Sequence, residues 1–428
     1  MEHVLANAPE TPQAGDFEAD PDAQSVLDAV GALDPVVFVL GRAGTGKTRL
    51  LRHIAQSSGR ETAVVAPTGL AALSAGGQTI HSFFSLPPHG AGPQIVARRV
   101  KRKLLKALDL LLVDEVSMVR ADLIDAMDRT LRAARGVDAP FGDVQVVFFG
   151  DFLQLPPVVA DRDAHVLHDA GYRSPFAFDA QVMREASPTT IEMSIVHRQS
   201  DEEFIDLLGR LRGGDAEAVE ELNERCAGPH RASAAPILLT STNRLAELYN
   251  ARGLEALPGD PTVLEGKIAD QFGQDRLPAP QILELKPRAR VMAVRNDPMG
   301  RFVNGSLGTV LALHEGRVQV LFDGKPEAVI VDPVTWESIR YEVVDDKVQP
   351  VVVGSYRQAP LQPAWAITIH KSQGLTLDDV RVDLGRGAFA SGQAYVALSR
   401  ARTIEGLSLA RPLTPRDLVL DPALERFA

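Results

Sequence analysis

Across the first 150 residues, short and almost unbroken apolar runs at 36–40, 62–66, 109–113 and 144–149 alternate with longer stretches of helical character. Strands that are apolar on both faces belong to a sheet covered on both sides, so the alternation predicts an α/β fold with a doubly wound parallel sheet. A second α/β set is read from "IEMSIV" at 191–196, "ILLTSTN" at 237–243, "AWAIT" at 364–368 and "VRVDL" at 380–384. Between its halves the pattern changes. "RVMAV", "GTVLAL", "RVQVLF" and "EAVIV" are separated by Asn-Gly at 304–305 and Asp-Gly at 323–324, which predicts a small inserted antiparallel β-barrel.

Composition sets the class. The chain has 428 residues, 45% hydrophobic and 24% charged, enough for two or three domains with separate cores. Its single cysteine, Cys226, excludes a disulfide framework and a cysteine-based zinc cage, as expected of a protein in a reducing cytoplasm. No basic region precedes an apolar core at the start, and no run approaches about 18 apolar residues, so neither secretion nor membrane insertion is expected. Residues 1–22 hold six acidic side chains and no Lys or Arg, and 1–20 is read as a solvated acidic tail. The net charge of -11 argues against indiscriminate nucleic-acid binding. Locally, "RRVKRKLLK" at 98–106 carries six basic residues and no acidic one, open to two readings: a solvated face or a grip on a phosphate backbone.

The strongest chemical signal is "GRAGTGKT", 41–48, directly after the first strand and opening a helix. Gly41, Ala43, Gly44, Thr45, Gly46, Lys47, Thr48 and Arg49 form the candidate nucleotide site: backbone N–H groups wrap phosphate oxygens, Lys47 adds a charge and Thr48 a hydroxyl for magnesium. The third strand ends in Asp114 and Glu115, one for the magnesium shell and the other to polarise a water. Such a pair is also a helix N-cap in other chains, a reading that the upstream glycine loop disfavours.

In "FFGDFLQLPP", 148–157, Gln154 stands where a core strand ends, just before two prolines. An amide there is placed to orient the attacking water and to sense the γ-phosphate, or to satisfy loop backbone. Hydrolysis also needs cations delivered from elsewhere, and Arg198 in "VHRQSDEEF" and Arg400 in "GQAYVALSRAR" are the candidates.

In order, "GRAGTGKT", "APTGLAALSAGGQTIHSFF", "LLLVDEVSMV", "FFGDFLQLPPV", "VHRQSDEEFIDLLGRLRGG", "LTSTN", "FVNGSLGTV", "ITIHKSQGLTLDDV" and "GQAYVALSRAR" resemble superfamily 1B DNA helicases, the Pif-type branch first and the RecD-type branch next, over roughly 21–412. The resemblance implies two RecA-like P-loop domains with ATP and Mg²⁺ in their cleft, and 5′-to-3′ movement on single-stranded DNA. It puts Arg198 and Arg400 at the two arginine-finger positions, gives Gln24 the reading of adenine, and turns Gln373 and Gly374 towards the nucleotide. It divides the chain into a first RecA-like domain at 21–83 and 106–185, a wedge hairpin at 84–105, a second RecA-like domain at 186–266 and 359–428, and an SH3-like insertion at 267–358.

A translocase needs a track-binding surface in each domain. In the first, the candidates are Thr68, Gly69, Thr79, His81 and Ser82 for phosphates and Phe83 for base stacking. Thr240, Asn243, Thr368, His370 and Lys371 are their counterparts in the second. The expected partners are single-stranded DNA and forked or tailed duplex, with a monomer as the active form and DNA repair or recombination as the setting. Two alternatives stay open: a remodeller of RNA or RNA–DNA hybrid, and a nucleic-acid-bound ATP switch that does not unwind.

Overall fold

The computed structural model describes residues 20–87, 90–95, 97, 101–197, 199, 201–226, 236–273, 277–314 and 316–427. They fall into two compact units. One runs to His197 and takes in Ser338–Val353 and Phe427; the other holds the remainder.

The first unit contains helices α1 (Pro21–Gly31), α2 (Lys47–Ser57), α3 (Gly69–Ala75), α4 (Ile80–Phe84), α5 (Arg102–Ala107), α6 (Ala121–Arg135), α7 (Asp161–Asp169) and α8 (Gln181–Ala186). Its strands are β1 (Val36–Gly41), β2 (Thr62–Ala66), β3 (Gln78–Thr79), β4 (Leu110–Val113), β5 (Gln145–Gly150) and β6 (Thr189–Met193). They form one parallel sheet in the order β3-β2-β4-β5-β1-β6. Every residue of β1, β4 and β5 is buried, which is why these strands read as continuous apolar runs.

Alternation along the strands divides the core. Val37, Val39, Val147 and Phe149 pack with Ala23 and Val26 of α1 and with Leu50, Leu51 and Ile54 of α2. Phe38 and Phe148, paired in register across β1 and β5, stack at 5.1 Å on the opposite face, with Phe141 at 6.2 Å from Phe148. Each such side chain contributes about 1.5–3 kcal/mol by leaving water. The sheet thereby fixes where the loops at the carboxyl ends of β1, β4 and β5 stand.

Two expectations change here. The segment from 189 joins the first sheet, not the second: β6 pairs in parallel with β1, Val39 opposite Ile191, and the Asp22 carboxylate accepts from the N–H and hydroxyl of Ser194 at 2.8 and 2.7 Å. An apolar strand carries no mark of the sheet it will join, so sequence alone assigned it to its successor. Within 84–105 the described residues form a 3₁₀ turn at Gly92–Gln94 and the start of α5, with no strand of a hairpin among them. The C-terminal half of the basic run is helical, and Lys101 donates to the carbonyl of Ser82 at 2.9 Å.

The second unit has helices α9 (Glu202–Arg212), α10 (Ala216–Cys226), α11 (Asn243–Glu255) and α12 (Gln393–Leu398). Its strands begin with β7 (Ile237–Thr240), followed by β8 (Thr262–Glu265), β9 (Lys267–Asp270), β10 (Ile282–Leu285), β11 (Arg290–Ala293), β12 (Leu307–His314), β13 (Arg317–Phe322) and β14 (Val329–Val331). β15 (Val334–Val344) and β16 (Lys347–Gln358) follow, divided between the units because Ser338–Val353 counts with the first, and the second unit goes on through β17 (Leu361–Pro363), β18 (Ala366–Thr368), β19 (Val380–Asp383) and β20 (Leu407–Leu409).

The strands β18-β7-β19-β20 make a second parallel sheet, and β14-β13-β12-β11-β17 an antiparallel one around Val291, Val310, Val318, Val320 and Phe322. Antiparallel pairing therefore reaches beyond 267–358 at both ends, from Thr262 to Pro363. The turn between β15 and β16 is Asp345-Asp346, both at positive φ (50° and 59°), a geometry that suits a tight hairpin. Ser338–Val353 around it belongs with the first unit, where the Tyr341 hydroxyl accepts from the Val64 N–H at 3.1 Å.

Candidate nucleotide and nucleic-acid sites

The loop after β1 is shaped by what it cannot contain. A Cβ on Gly41 would lie 2.5 Å from the Met193 carbonyl oxygen and 2.9 Å from Thr45 Oγ1, so only glycine fits between β1 and β6. Gly46, at φ 82°, turns the chain into α2 without a capping side chain. The N–H groups of the first turn of α2 have no acceptor within the helix, which makes a helix start there suited to an anion.

Lys47 folds back over that loop. Its ammonium donates to the carbonyls of Gly41 at 2.7 Å and Arg42 at 2.8 Å and to Thr45 Oγ1 at 3.2 Å. Thr45 is fully buried and bonds the Arg42 carbonyl at 3.1 Å, whereas Arg49 is exposed on α2; Ala43 is buried and Gly44 sits at φ 89°.

The Thr48 hydroxyl, at the start of α2, donates to Asp114 Oδ2, just past the end of β4, at 3.1 Å. Burial pushes the Asp114 carboxyl above the usual range, opposed by hydrogen bonds from the Glu115 N–H and Thr48 and by the charges of Lys47 and Arg52. Glu115 itself has φ 51° and ψ 48°, left-handed backbone that a non-glycine residue holds only where its surroundings impose it. The structure thus joins Lys47, Thr48, Asp114 and Glu115 on one edge of one sheet.

Gln154 is buried, 6% exposed. Its amide donates to Asp151 Oδ2 at 3.1 Å, while Asp151 Oδ1 accepts from the Leu153 N–H at 3.1 Å. Asp151 was missed from sequence, although it lies three residues before the amide it holds. Gln24 lies exposed on α1 and bonds Asp28 at 2.8 Å. Arg198 lies outside the described residues.

In the second unit Arg400 is 1% exposed. Its Nε donates to the Val396 carbonyl at 2.8 Å, one terminal nitrogen to the Ser399 hydroxyl at 2.8 Å, and the other to the carbonyls of Ser372 at 3.4 Å and Leu375 at 3.3 Å. Those two carbonyls flank Gln373 and Gly374, the latter at φ 80°, so three of the nominated residues come together.

The nominated DNA contacts divide. Thr68 and Thr79 cap α3 and α4, accepting from the Ala71 N–H at 3.2 Å and the Ser82 N–H at 3.4 Å, and Gly69 opens α3. His81 is half-buried, and the Ser82 hydroxyl accepts from Gln78 at 2.6 Å. Phe83 is a correction: it is fully buried, edge-on to Phe84 at 4.9 Å and Tyr341 at 5.8 Å, so its ring is core and is not presented for base stacking. Thr240 is another. It is fully buried and bonds the Thr242 carbonyl at 3.1 Å, while the exposed hydroxyl at this strand end is Thr242, the N-cap of α11, beside exposed Asn243. An N-cap rule applied to "TSTN" would have found it. Thr368 is buried and accepts from the Lys371 N–H at 3.3 Å; Lys371 is exposed, and burial holds the His370 imidazole below its ordinary range.

Among the described residues no helix is long and apolar enough to cross a membrane. The family model described as PIF1-like helicase matches residues 22–221. The rat ATP-dependent DNA helicase PIF1 is 38% identical over 411 residues, 91% of this chain and 60% of the rat protein, so the chain spans about three fifths of the vertebrate relatives it matches. The ATP-dependent DNA helicase Pif1 of Bdellovibrio bacteriovorus is 31% identical over 427 residues, 96% of this chain and 92% of that protein. Pif1 from Bacteroides sp, solved in complex with ADP-AlF4, superposes with a TM-score of 0.87 at 34% identity over 95% of both chains. The same protein bound to single-stranded DNA gives 0.67 at 35% identity, again over 95% of both. By shared sequence along nearly the whole chain and by a shared α/β fold, this protein belongs to the Pif1-like helicase family of superfamily 1B.

Proposed function

We propose that the chain is an ATP-dependent DNA helicase that couples ATP hydrolysis to 5′-to-3′ movement on single-stranded DNA and opens forked or tailed duplex. The observation that carries this reading is Lys47, opening α2 and folded back over the loop after β1, beside Thr48 hydrogen-bonded to Asp114 at the end of β4. That arrangement holds a triphosphate between ammonium, backbone N–H groups and two oxygen donors, and the ADP-AlF4 and single-stranded DNA complexes of the Bacteroides relative support extending it to ATP and DNA.

Thr48 and Asp114 fit Mg²⁺, since a hydroxyl and a carboxylate are the hard oxygen ligands it takes alongside phosphate and water. When bound, the ion supplies neutralisation of charge on the phosphate oxygens. Lys47 exchanges its loop carbonyls for the phosphates. Glu115 holds the attacking water on one side of the γ-phosphate and Gln154 orients it, the amide staying near Asp151 as the phosphate comes and goes. Arg400, with Arg198, supplies positive charge as the γ-phosphate bond breaks. Gln24 selects adenine.

The groups that grip DNA backbone are Thr68 and Gly69 at the start of α3 on the first unit, and Asn243 at the start of α11 with His370 and Lys371 in the turn after β18 on the second. The antiparallel strands from Thr262 to Pro363 are assigned as the SH3-like insertion and 84–105 as the wedge. A monomer is taken as the active form, and a DNA substrate with a single cysteine supports a cytoplasmic place of action, at the nucleoid if the cell is bacterial. The test is steady-state ATP hydrolysis with and without a thymidine oligonucleotide. Stimulation of at least about 10-fold is expected, and a rate indifferent to DNA overturns the reading.

A further inference from the structure

Gln199 stands at the start of the second unit, bonded in sequence to Arg198, and has no role in the site described so far. Its side chain is 5% exposed. The amide nitrogen donates to the Ser399 carbonyl at 3.3 Å and the Ala401 carbonyl at 3.1 Å, the two carbonyls on either side of Arg400. A primary amide has two hydrogens, one for each acceptor. A carboxylate of the same shape has none and would set an oxygen against both carbonyls.

The Arg400 backbone is held from a second direction as well. The Leu377 N–H donates to the Arg400 carbonyl at 2.9 Å, and the Arg402 N–H to the Leu377 carbonyl at 3.0 Å. Ser399 caps the C-terminus of α12, where carbonyls have no helical partner and need one from outside the helix. The short segment carrying Arg400 is thus clamped between Leu377 and Gln199, and from this clamp the guanidinium extends to Ser372 and Leu375.

We propose that Gln199 is a positioning residue for ATP hydrolysis: by bridging the carbonyls on both sides of Arg400 it fixes the origin of that side chain, and it ties the chain next to Arg198 to the same anchor. This rests on the assignment of Arg400 as the cation that meets developing phosphate charge. Misplacing such a group by about 1 Å costs on the order of 10²-fold in rate, whereas substrate binding through Lys47 and the DNA grips of the first unit does not pass through this clamp.

The test uses the full chain. ATP hydrolysis with a thymidine oligonucleotide is measured for Gln199→Glu and Gln199→Met, alone and combined with Arg400→Lys, with oligonucleotide affinity and melting temperature recorded alongside. The expected result is a kcat lowered about 10- to 100-fold in Gln199→Glu, with the KM for ATP and the oligonucleotide affinity within about 2-fold of the unsubstituted chain. In the Arg400→Lys background the same change adds less than about 2-fold, because the two residues act through one position. Unchanged kcat, a full multiplicative loss in that background, or a parallel loss of melting temperature and oligonucleotide affinity in both Gln199 variants overturns the role. Full activity of Arg400→Lys and of Arg400→Ala would instead defeat the assignment of Arg400, and the positioning role with it. Loss in the Arg400 variants with intact Gln199 variants defeats the positioning role alone.

Discussion

Gln154 and Asp151 form a buried pair in which the amide nitrogen lies 3.1 Å from a carboxylate oxygen that is itself fixed by the loop. The carboxylate decides which end of the amide faces it: the nitrogen is turned to Asp151, which leaves the oxygen for the water-orienting role proposed for Gln154. Replacing Gln154 by Ala is expected to lower DNA-stimulated kcat by about 10²-fold. Asp151→Asn, which frees the amide to rotate, should lose about 10-fold with the KM for ATP little changed, as steady-state kinetics will show.

Lys47 and Thr48 differ in what they hold. Lys47→Ala removes the charge proposed to meet the phosphates and should abolish hydrolysis, to below about 1% of the unsubstituted rate, while DNA binding without nucleotide persists. Thr48→Ala leaves Asp114 in place and should raise the magnesium concentration needed for half-maximal hydrolysis. A chelator titration of both variants and the unsubstituted chain measures this.

Phe83 gives a prediction opposite to the one its sequence context suggests. Its ring is enclosed by Phe84 and Tyr341, so Phe83→Ala should destabilise the first unit by about 3–5 kcal/mol in denaturant unfolding. Phe83→Leu, which keeps most of the volume, should bind a thymidine oligonucleotide as tightly as the unsubstituted chain. A stacking residue would lose about 1–3 kcal/mol there.

What the sequence disclosed and what it withheld separate along physical lines. β1, β2, β4 and β5 were legible because strands buried on both faces are apolar throughout, and the glycine loop because phosphate-binding backbone tolerates few other residues there. Thr189–Met193 reads as part of the second sheet yet pairs with β1, because register with β1 is a long-range choice that a pentapeptide does not encode. Phe83 and Thr240 are polar-context residues whose burial depends on Tyr341 and Ile367, far away in sequence. The amides of Gln154 and Gln199 stood in plain view, yet their partners are set by loop geometry and by carbonyls about 200 positions downstream.

His370 supplies a pH dependence. Burial holds its folded value below the ordinary value of about 6.5, so on acidification the unfolded chain binds this proton first. The stability contributed by the neutral imidazole is complete above about pH 6.5 and is lost as pH falls towards the folded value. Melting temperatures between about pH 7.5 and 5 should therefore fall more steeply for the unsubstituted chain than for His370→Gln.

The central claim is that hydrolysis at Lys47, Thr48 and Asp114 drives directed movement along one DNA strand, and strand separation on tailed duplexes measures it most directly. Substrates identical except for a 5′ or a 3′ single-stranded tail are incubated with ATP and Mg²⁺. The expected result is unwinding of the 5′-tailed duplex alone, absent in Lys47→Ala. Unwinding confined to 3′ tails, or tight binding of both substrates with hydrolysis and no strand separation, would contradict it.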